Sequence, residues 1–170
     1  MNTTIRFDCI ESPLGTLRIA ATPEGLAGIF FIDEAEASAP GASWVRDPGA
    51  QLLRRAAAQL GEYFAGRRRV FDLPLAPVGT PFQHAVWKAI ATVPAGTTIS
   101  YTELARRAGH PGSFRAVGAA TGRNPLAIVV PCHRIVGADG SLTGYAGGLA
   151  RKRALLALES DAHAQLALAV

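Results

Sequence analysis

Thiols are scarce in this chain: 170 residues include two cysteines, Cys9 and Cys132. That is too few for a disulfide framework and too few for a zinc site built of thiolates, so a reducing compartment is expected. Long apolar runs are missing as well, and none approaches the ~18 residues that a membrane helix needs. Met1-Asn2-Thr3-Thr4 lacks the basic-then-apolar layout of a signal peptide, so the expectation is a soluble cytoplasmic protein. Lysine is nearly absent, since 15 of the 17 basic residues are arginine. With a net charge of +4, arginine dominance suits phosphate contact. It equally suits a GC-biased genome, which the Ala/Gly/Arg richness suggests.

What is present is core. Hydrophobic residues make up 49% of the chain, enough for one domain or for two small ones. Ile5 to Ile10, Thr16 to Ala21 and Leu26 to Ile32 read as three strands of an antiparallel meander. Ser12-Pro13-Leu14-Gly15 and Thr22-Pro23-Glu24-Gly25 are the turns between them. Cys9 falls in the first strand and reads as structural. Residues 33–47 read as a loop. Asp47-Pro48 predicts a helix start, with an apolar face of Leu52, Leu53, Ala56, Ala57, Leu60, Tyr63 and Phe64 ended by Gly66. Arg67-Arg68-Arg69 reads as a solvated charge run, with DNA contact as the second reading. Val70 to Leu75 predicts a short strand, and Ala76-Pro77-Val78-Gly79 an interdomain linker.

Thr80-Pro81 repeats the cap-then-proline signature before a stripe of Phe82, Ala85, Val86, Ala89 and Ile90, and Pro94-Ala95-Gly96 breaks that helix. Ser100-Tyr101-Thr102-Glu103 has the layout of a capping box. Its helix ends at Gly109, and Ser113 is predicted to cap the next, led by Phe114, Val117 and Gly118. Two short helices across a tight glycine turn are a helix-turn-helix candidate. The second is odd for a base reader, because Arg115 stands alone among Ala116, Gly118, Ala119, Ala120 and Thr121. Small residues let a helix backbone come close to something, as a narrow groove with a single inserted side chain would require.

Ala127 to Val130 predicts a buried strand, stopped by Pro131. Cys132, His133 and Arg134 follow, then Ile135-Val136 and a glycine-rich loop, Gly137 to Gly148. A thiol, an imidazole and a guanidinium pinned between apolar segments suit a rigid reactive site; a free cysteine is as often a small buried hydrophobe. Leu149 to Glu159 reads as a basic helix whose Arg151, Lys152 and Arg153 either touch phosphate or solvate it. The alanine-rich tail from Ser160 either extends that helix or frays.

The order of these pieces resembles the O6-alkylguanine-DNA alkyltransferases (methylated-DNA–protein cysteine methyltransferases). The matching text is Phe82-Gln83-His84-Ala85-Val86-Trp87, Ser100-Tyr101, Arg115-Ala116-Val117-Gly118-Ala119-Ala120, Asn124-Pro125, Pro131-Cys132-His133-Arg134, Gly144-Tyr145-Ala146-Gly147-Gly148 and Leu155-Leu156-Ala157-Leu158-Glu159. The match is dense over residues 80–159 and looser over Ser12 to Gly15 and the 47–66 helix. The resemblance implies an α/β (α+β) fold. Residues 1–76 would form an antiparallel sheet with a helix (ribonuclease H-like), and residues 80–170 a helical catalytic and DNA-binding domain bearing the helix-turn-helix.

The resemblance also implies roles. Cys132 is the alkyl acceptor, a thiolate nucleophile helped by His133 through a water. Glu159 orients the histidine, and Asn124 braces the active-site turn. Arg115 fills the stack left by a flipped base, Tyr101 crowds its 3′ phosphate, and Tyr145 walls the pocket. Ile135, Ala116, Gly118 and Ala119 join them in contacting DNA or substrate. The expected partner is double-stranded DNA carrying O6-alkylguanine, or O4-alkylthymine, bound through the minor groove by a monomer. No cofactor and no metal are expected, and the thioether product implies one turnover per molecule. Ala146 stands where some relatives carry serine and Ala127 where some carry proline, which touches base preference and alkyl size. Rival readings are a non-catalytic alkylated-base binder, which lacks the acceptor cysteine, a helix-turn-helix regulator and a cysteine hydrolase.

Overall fold

The computed structural model describes residues 3–32 and 40–168, with side chains as far as Ser160. The chain divides into two compact units, Met1–Val78 and Gly79–Val170. No described helix is long and apolar enough to cross a membrane.

In the first unit, β1 (Ile5–Ser12), β2 (Gly15–Thr22) and β3 (Gly25–Ile32) form the antiparallel meander. The sheet order is β3-β2-β1-β4, where β4 (Trp44–Arg46) runs parallel to β1, pairing Ile5 with Trp44. A strand therefore stands inside the stretch read as loop. Three residues are too few to show a period, and the pairing is long-range. Residues 33–39 of that loop lie outside the described residues.

Helix α1 (Gln51–Phe64) begins later than the Asp47-Pro48 signature predicts, and its N-cap, Ala50, makes no side-chain cap bond. Asp47 is held by the sheet instead: its N–H donates to the Phe7 carbonyl at 2.9 Å and its carboxylate takes Arg6 at 2.6 Å. Leu53, Ala56, Leu60 and Tyr63 of α1 are buried, as are Phe7, Leu17, Ile19, Leu26 and Ile29 of the sheet. Each leucine, isoleucine or phenylalanine among them contributes about 1.5–3 kcal/mol by leaving water. Val70 to Leu75 is not a strand; Leu75 alone bridges Leu26. The backbone of Asp72 is taken by the Gln59 side chain of α1, donating at 2.9 Å and accepting at 3.0 Å. Within the arginine run, Arg68 pairs with Glu62 at 3.0 Å.

The second unit opens with α2 (Pro81–Ala91), whose capping box between Thr80 and Gln83 is complete. The Trp87 indole donates to the Ala120 carbonyl at 2.9 Å, tying α2 to α4 (Phe114–Gly122). Helix α3 (Tyr101–Arg107) is capped by the Ser100 hydroxyl, which accepts from Glu103 N–H. Only half the predicted box forms, because the Glu103 carboxylate turns outward to Arg106 and Arg107. Ser113 does not cap α4: at φ −90°, ψ 39° it lacks the extended backbone that aims a hydroxyl at the first turn.

Ala127 to Val130 folds as turns rather than a strand. Ile128 sits at φ +72°, a strained position for a β-branched residue, and the Val130 N–H donates back to Leu126. A two-strand parallel ladder pairs β5 (Ile99–Ser100) with β6 (Ile135–Val136), which sets the start of α3 beside the segment following Cys132. Helix α5 (Leu149–Leu168) carries on past Glu159.

Candidate active site

Cys132, His133 and Arg134 form one turn of 3₁₀ helix after Pro131. The turn is braced from Asn124, whose side-chain amide donates to the Val130 carbonyl at 2.8 Å and accepts from Leu126 N–H at 2.9 Å. The Val129 N–H donates to the Ala127 carbonyl and the Val130 N–H to the Leu126 carbonyl, so the run 127–130 turns back on itself instead of pairing with a strand. Cys132 is half-buried, and burial pushes its thiol up, while the Asn124 amide and, at longer range, Lys152 favour the thiolate.

His133 is wholly buried. Its Nε2 lies 2.6 Å from Glu159 Oε1 on α5. Glu159 is ionised, so Nε2–H donates and the bare lone pair is left on Nδ1. Nδ1 is buried without a hydrogen-bond partner among the described residues. Burial pushes the imidazole below its usual range, against the pull of Glu159, so it rests neutral and able to accept a proton.

Glu159 has a second partner. Arg134 donates Nε to Oε2 at 2.9 Å and Nη2 to Oε1 at 2.8 Å, and its Nη1 reaches the Val93 carbonyl at 2.6 Å. Burial would raise the carboxyl, but the bonds from His133 and Arg134 win and hold it at about 2. All three groups are at most 5% exposed.

Lys152 is buried too, which the basic-helix reading missed. Its ammonium donates to the carbonyls of Ile135 at 2.6 Å and Thr143 at 2.8 Å, stitching the glycine-rich loop to β6. Burial pushes it below the usual lysine range. A signal was available: Lys152, Leu155 and Glu159 recur at helical spacing on one face of α5, and all are buried. The part of Arg134 was missed as well.

Tyr145 is half-buried, with its hydroxyl unpaired among the described residues. Burial and then the nearby Cys132 sulfur push that phenol well above its usual range. Tyr101 opens α3, and its ring lies about 3.9 Å from where a Cβ on Gly118 would stand. Arg115, Ala116 and Ala119 are exposed along α4. Ile135 differs from the other predicted contact residues: its side chain is fully buried and its carbonyl is engaged by Lys152, so a ligand cannot touch that side chain. Among the described residues no cluster of three His, Cys, Asp or Glu side chains could hold a metal ion.

Residues 5–77 match the family model described as 6-O-methylguanine DNA methyltransferase, ribonuclease-like domain, and residues 81–161 that described as 6-O-methylguanine DNA methyltransferase, DNA binding domain. The chain belongs to this family. It is 46% identical to the methylated-DNA–protein-cysteine methyltransferase of Methanosarcina barkeri over 91% of this chain and 97% of that one. To the protein of the same name from Mycobacterium tuberculosis it is 48% identical, over 92% and 93%. A crystal structure of Mycobacterium tuberculosis OGT in complex with DNA superposes at a TM-score of 0.84, with 47% identity over 92% of this chain and 94% of that one. The family's mixed α/β architecture, a ribonuclease-like unit followed by a helical DNA-binding unit, is the one observed.

Proposed function

We propose that the protein repairs DNA by direct reversal, moving the alkyl group from O6 of guanine, and from O4 of thymine, onto Cys132. The observation that carries this reading is the buried His133–Glu159 pair, with Nδ1 of His133 bare, on the same turn as the half-buried Cys132. The thiol proton passes through a water to Nδ1. The sulfur attacks the alkyl carbon, an S–C bond forms, and the C–O bond breaks. The departing guanine takes a proton from water at its ring nitrogen while His133 gives the thiol's proton back to solvent, so the net products are guanine and a thioether. A thioether offers no leaving group that this site activates, so each molecule reacts once.

The lesion is stacked inside a duplex, and the reacting base must leave it. Arg115, exposed and with no side-chain hydrogen bond among the described residues, fills the stack; Tyr101 crowds the 3′ phosphate; Tyr145 walls the pocket. Ala116, Gly118 and Ala119 let α4 approach the minor groove closely. Asn124 holds the turn and Lys152 the loop. Residues 80–170 carry the chemistry and the DNA contact, and residues 1–76 support them. The protein works as a cytoplasmic monomer.

The test is incubation with an oligonucleotide bearing O6-methylguanine, followed by peptide mapping by mass spectrometry. One methyl group on Cys132 and none in Cys132→Ala is the expected result. Repeated turnover, or transfer that survives the substitution, would sink the mechanism.

A further inference from the structure

Phe114 is 53% exposed, although it is among the larger apolar side chains of the unit. It opens α4, immediately before Arg115. Helical side chains lean toward the N-terminus, so both project past the start of the helix, over a turn whose residues 110–113 are all exposed. They stand about 100° apart around the axis and about 1.5 Å apart along it. A surface that covers the N-terminal end of α4 therefore meets both side chains, on different flanks. The buried positions of α4 are Val117, Ala120 and Thr121, so the helix packs without this ring.

The surroundings say what the ring faces. No acidic residue occurs between His110 and Arg123, while Arg115 and Arg123 are exposed there. The outward positions 116 and 119 are alanine. A polyanion fits this surface. An apolar ring next to an inserting cation, on a face that tolerates phosphate, has the chemistry of a groove wedge.

We propose that Phe114 is a second duplex-distorting side chain, packing its ring against the sugar and base step beside the one that Arg115 enters and so helping to hold the target nucleotide out. The inference rests on the repair reading above and adds a residue to it. A phenyl ring offers no hydrogen bond to a base edge, so the contact is indifferent to sequence. It also releases no counterion.

The test compares wild type, Phe114→Ala, Phe114→Leu and Arg115→Ala on two substrates: a duplex with O6-methylguanine beside 2-aminopurine, and free O6-benzylguanine. Phe114→Ala is expected to slow duplex repair about 10-fold and to weaken the 2-aminopurine signal of extrusion. Reaction with the free base stays within about twofold, and Phe114→Leu recovers most of the loss. The slope of log affinity against log salt is unchanged in Phe114→Ala and reduced by about one in Arg115→Ala. Wild-type duplex rates in Phe114→Ala, or equal losses on both substrates, would overturn the wedge while leaving the repair reading intact. A wild-type protein inert on both substrates would overturn the repair reading and the wedge with it.

Discussion

Glu103 on α3 and Glu159 on α5 are each gripped by two side-chain donors. Glu103 takes Arg106 at 2.6 Å and Arg107 at 2.9 Å; Glu159 takes Arg134 at 2.8 Å and His133 at 2.6 Å. Both carboxyls are held at about 2. For Glu103 the bond from Arg106 leads; for Glu159 the bonds from His133 and Arg134 must first overcome burial. One cluster lies in water and the other in the protein interior. Local chemistry is thus nearly the same, and location decides what it does. In water, solvent and salt replace the partners at little cost. Inside, nothing replaces them, so the carboxylate fixes the histidine tautomer and the direction in which Nδ1 points.

Glu159→Gln breaks the buried cluster while keeping its shape, and has the largest expected effect. The amide still accepts from His133, but the Arg134 charge loses its counterion in a dry site. Stability falls by about 3–5 kcal/mol, read by urea unfolding. Alkyl transfer slows about 10²–10⁴-fold, read by single-turnover kinetics, because the imidazole loses the charge that supports its protonation. A rate within threefold of wild type would mean that Glu159 is structural only.

Lys152→Met comes next. The substitution keeps much of the volume and removes a donor from the carbonyls of Ile135 and Thr143. A loss of about 1–3 kcal/mol is expected from the stranded carbonyls. Repair slows with it, as the loop carrying Tyr145 loosens; faster hydrogen exchange confined to residues 137–148 would locate the cause.

The contrast between the two glutamates also marks what a sequence can show. Strands and turns in the first unit were legible, because alternation and Pro/Gly turn pairs are local. The Thr80-Pro81 cap was legible for the same reason. β4 was not, since its pairing with β1 spans about forty residues in sequence. Ala127 to Val130 has strand composition, and only the folded chain shows Asn124 bracing it at the Val130 carbonyl and at Leu126 N–H just before it. In the site, Cys132 and His133 announced themselves as a pair, whereas Glu159, 26 residues beyond the histidine, came only through the resemblance. Lys152 and Arg134 look like surface cations in a chain rich in arginine, and burial is a property that spacing hints at but does not state.

Acid titration separates the clusters by sign and window. His133 is pushed below 6.5 in the folded protein, so its contribution is present above that value and is lost as pH falls below it. Glu159 contributes above 4.5, and that contribution is lost as pH falls toward about 2. Stability should therefore decline in two stages on acidification, measured by urea midpoints across the range. His133→Gln removes the first stage and leaves the pull of Arg134 on Glu159 in place.

The smallest effect is expected at the exposed cluster. Glu103→Gln removes the ion pairs with Arg106 and Arg107 but leaves the Glu103 N–H bonded to the Ser100 hydroxyl, so the cap of α3 survives. A carboxylate in the first turn also favours the helix dipole, and that part is lost with the charge. Both contributions are screened by salt, so the melting temperatures of wild type and variant should converge as sodium chloride rises from about 0.05 M to about 1 M. For Glu159→Gln the difference should persist across the same range, because ions do not enter the interior. Convergence at Glu159, or persistence at Glu103, would mean that the two clusters are not divided by burial after all.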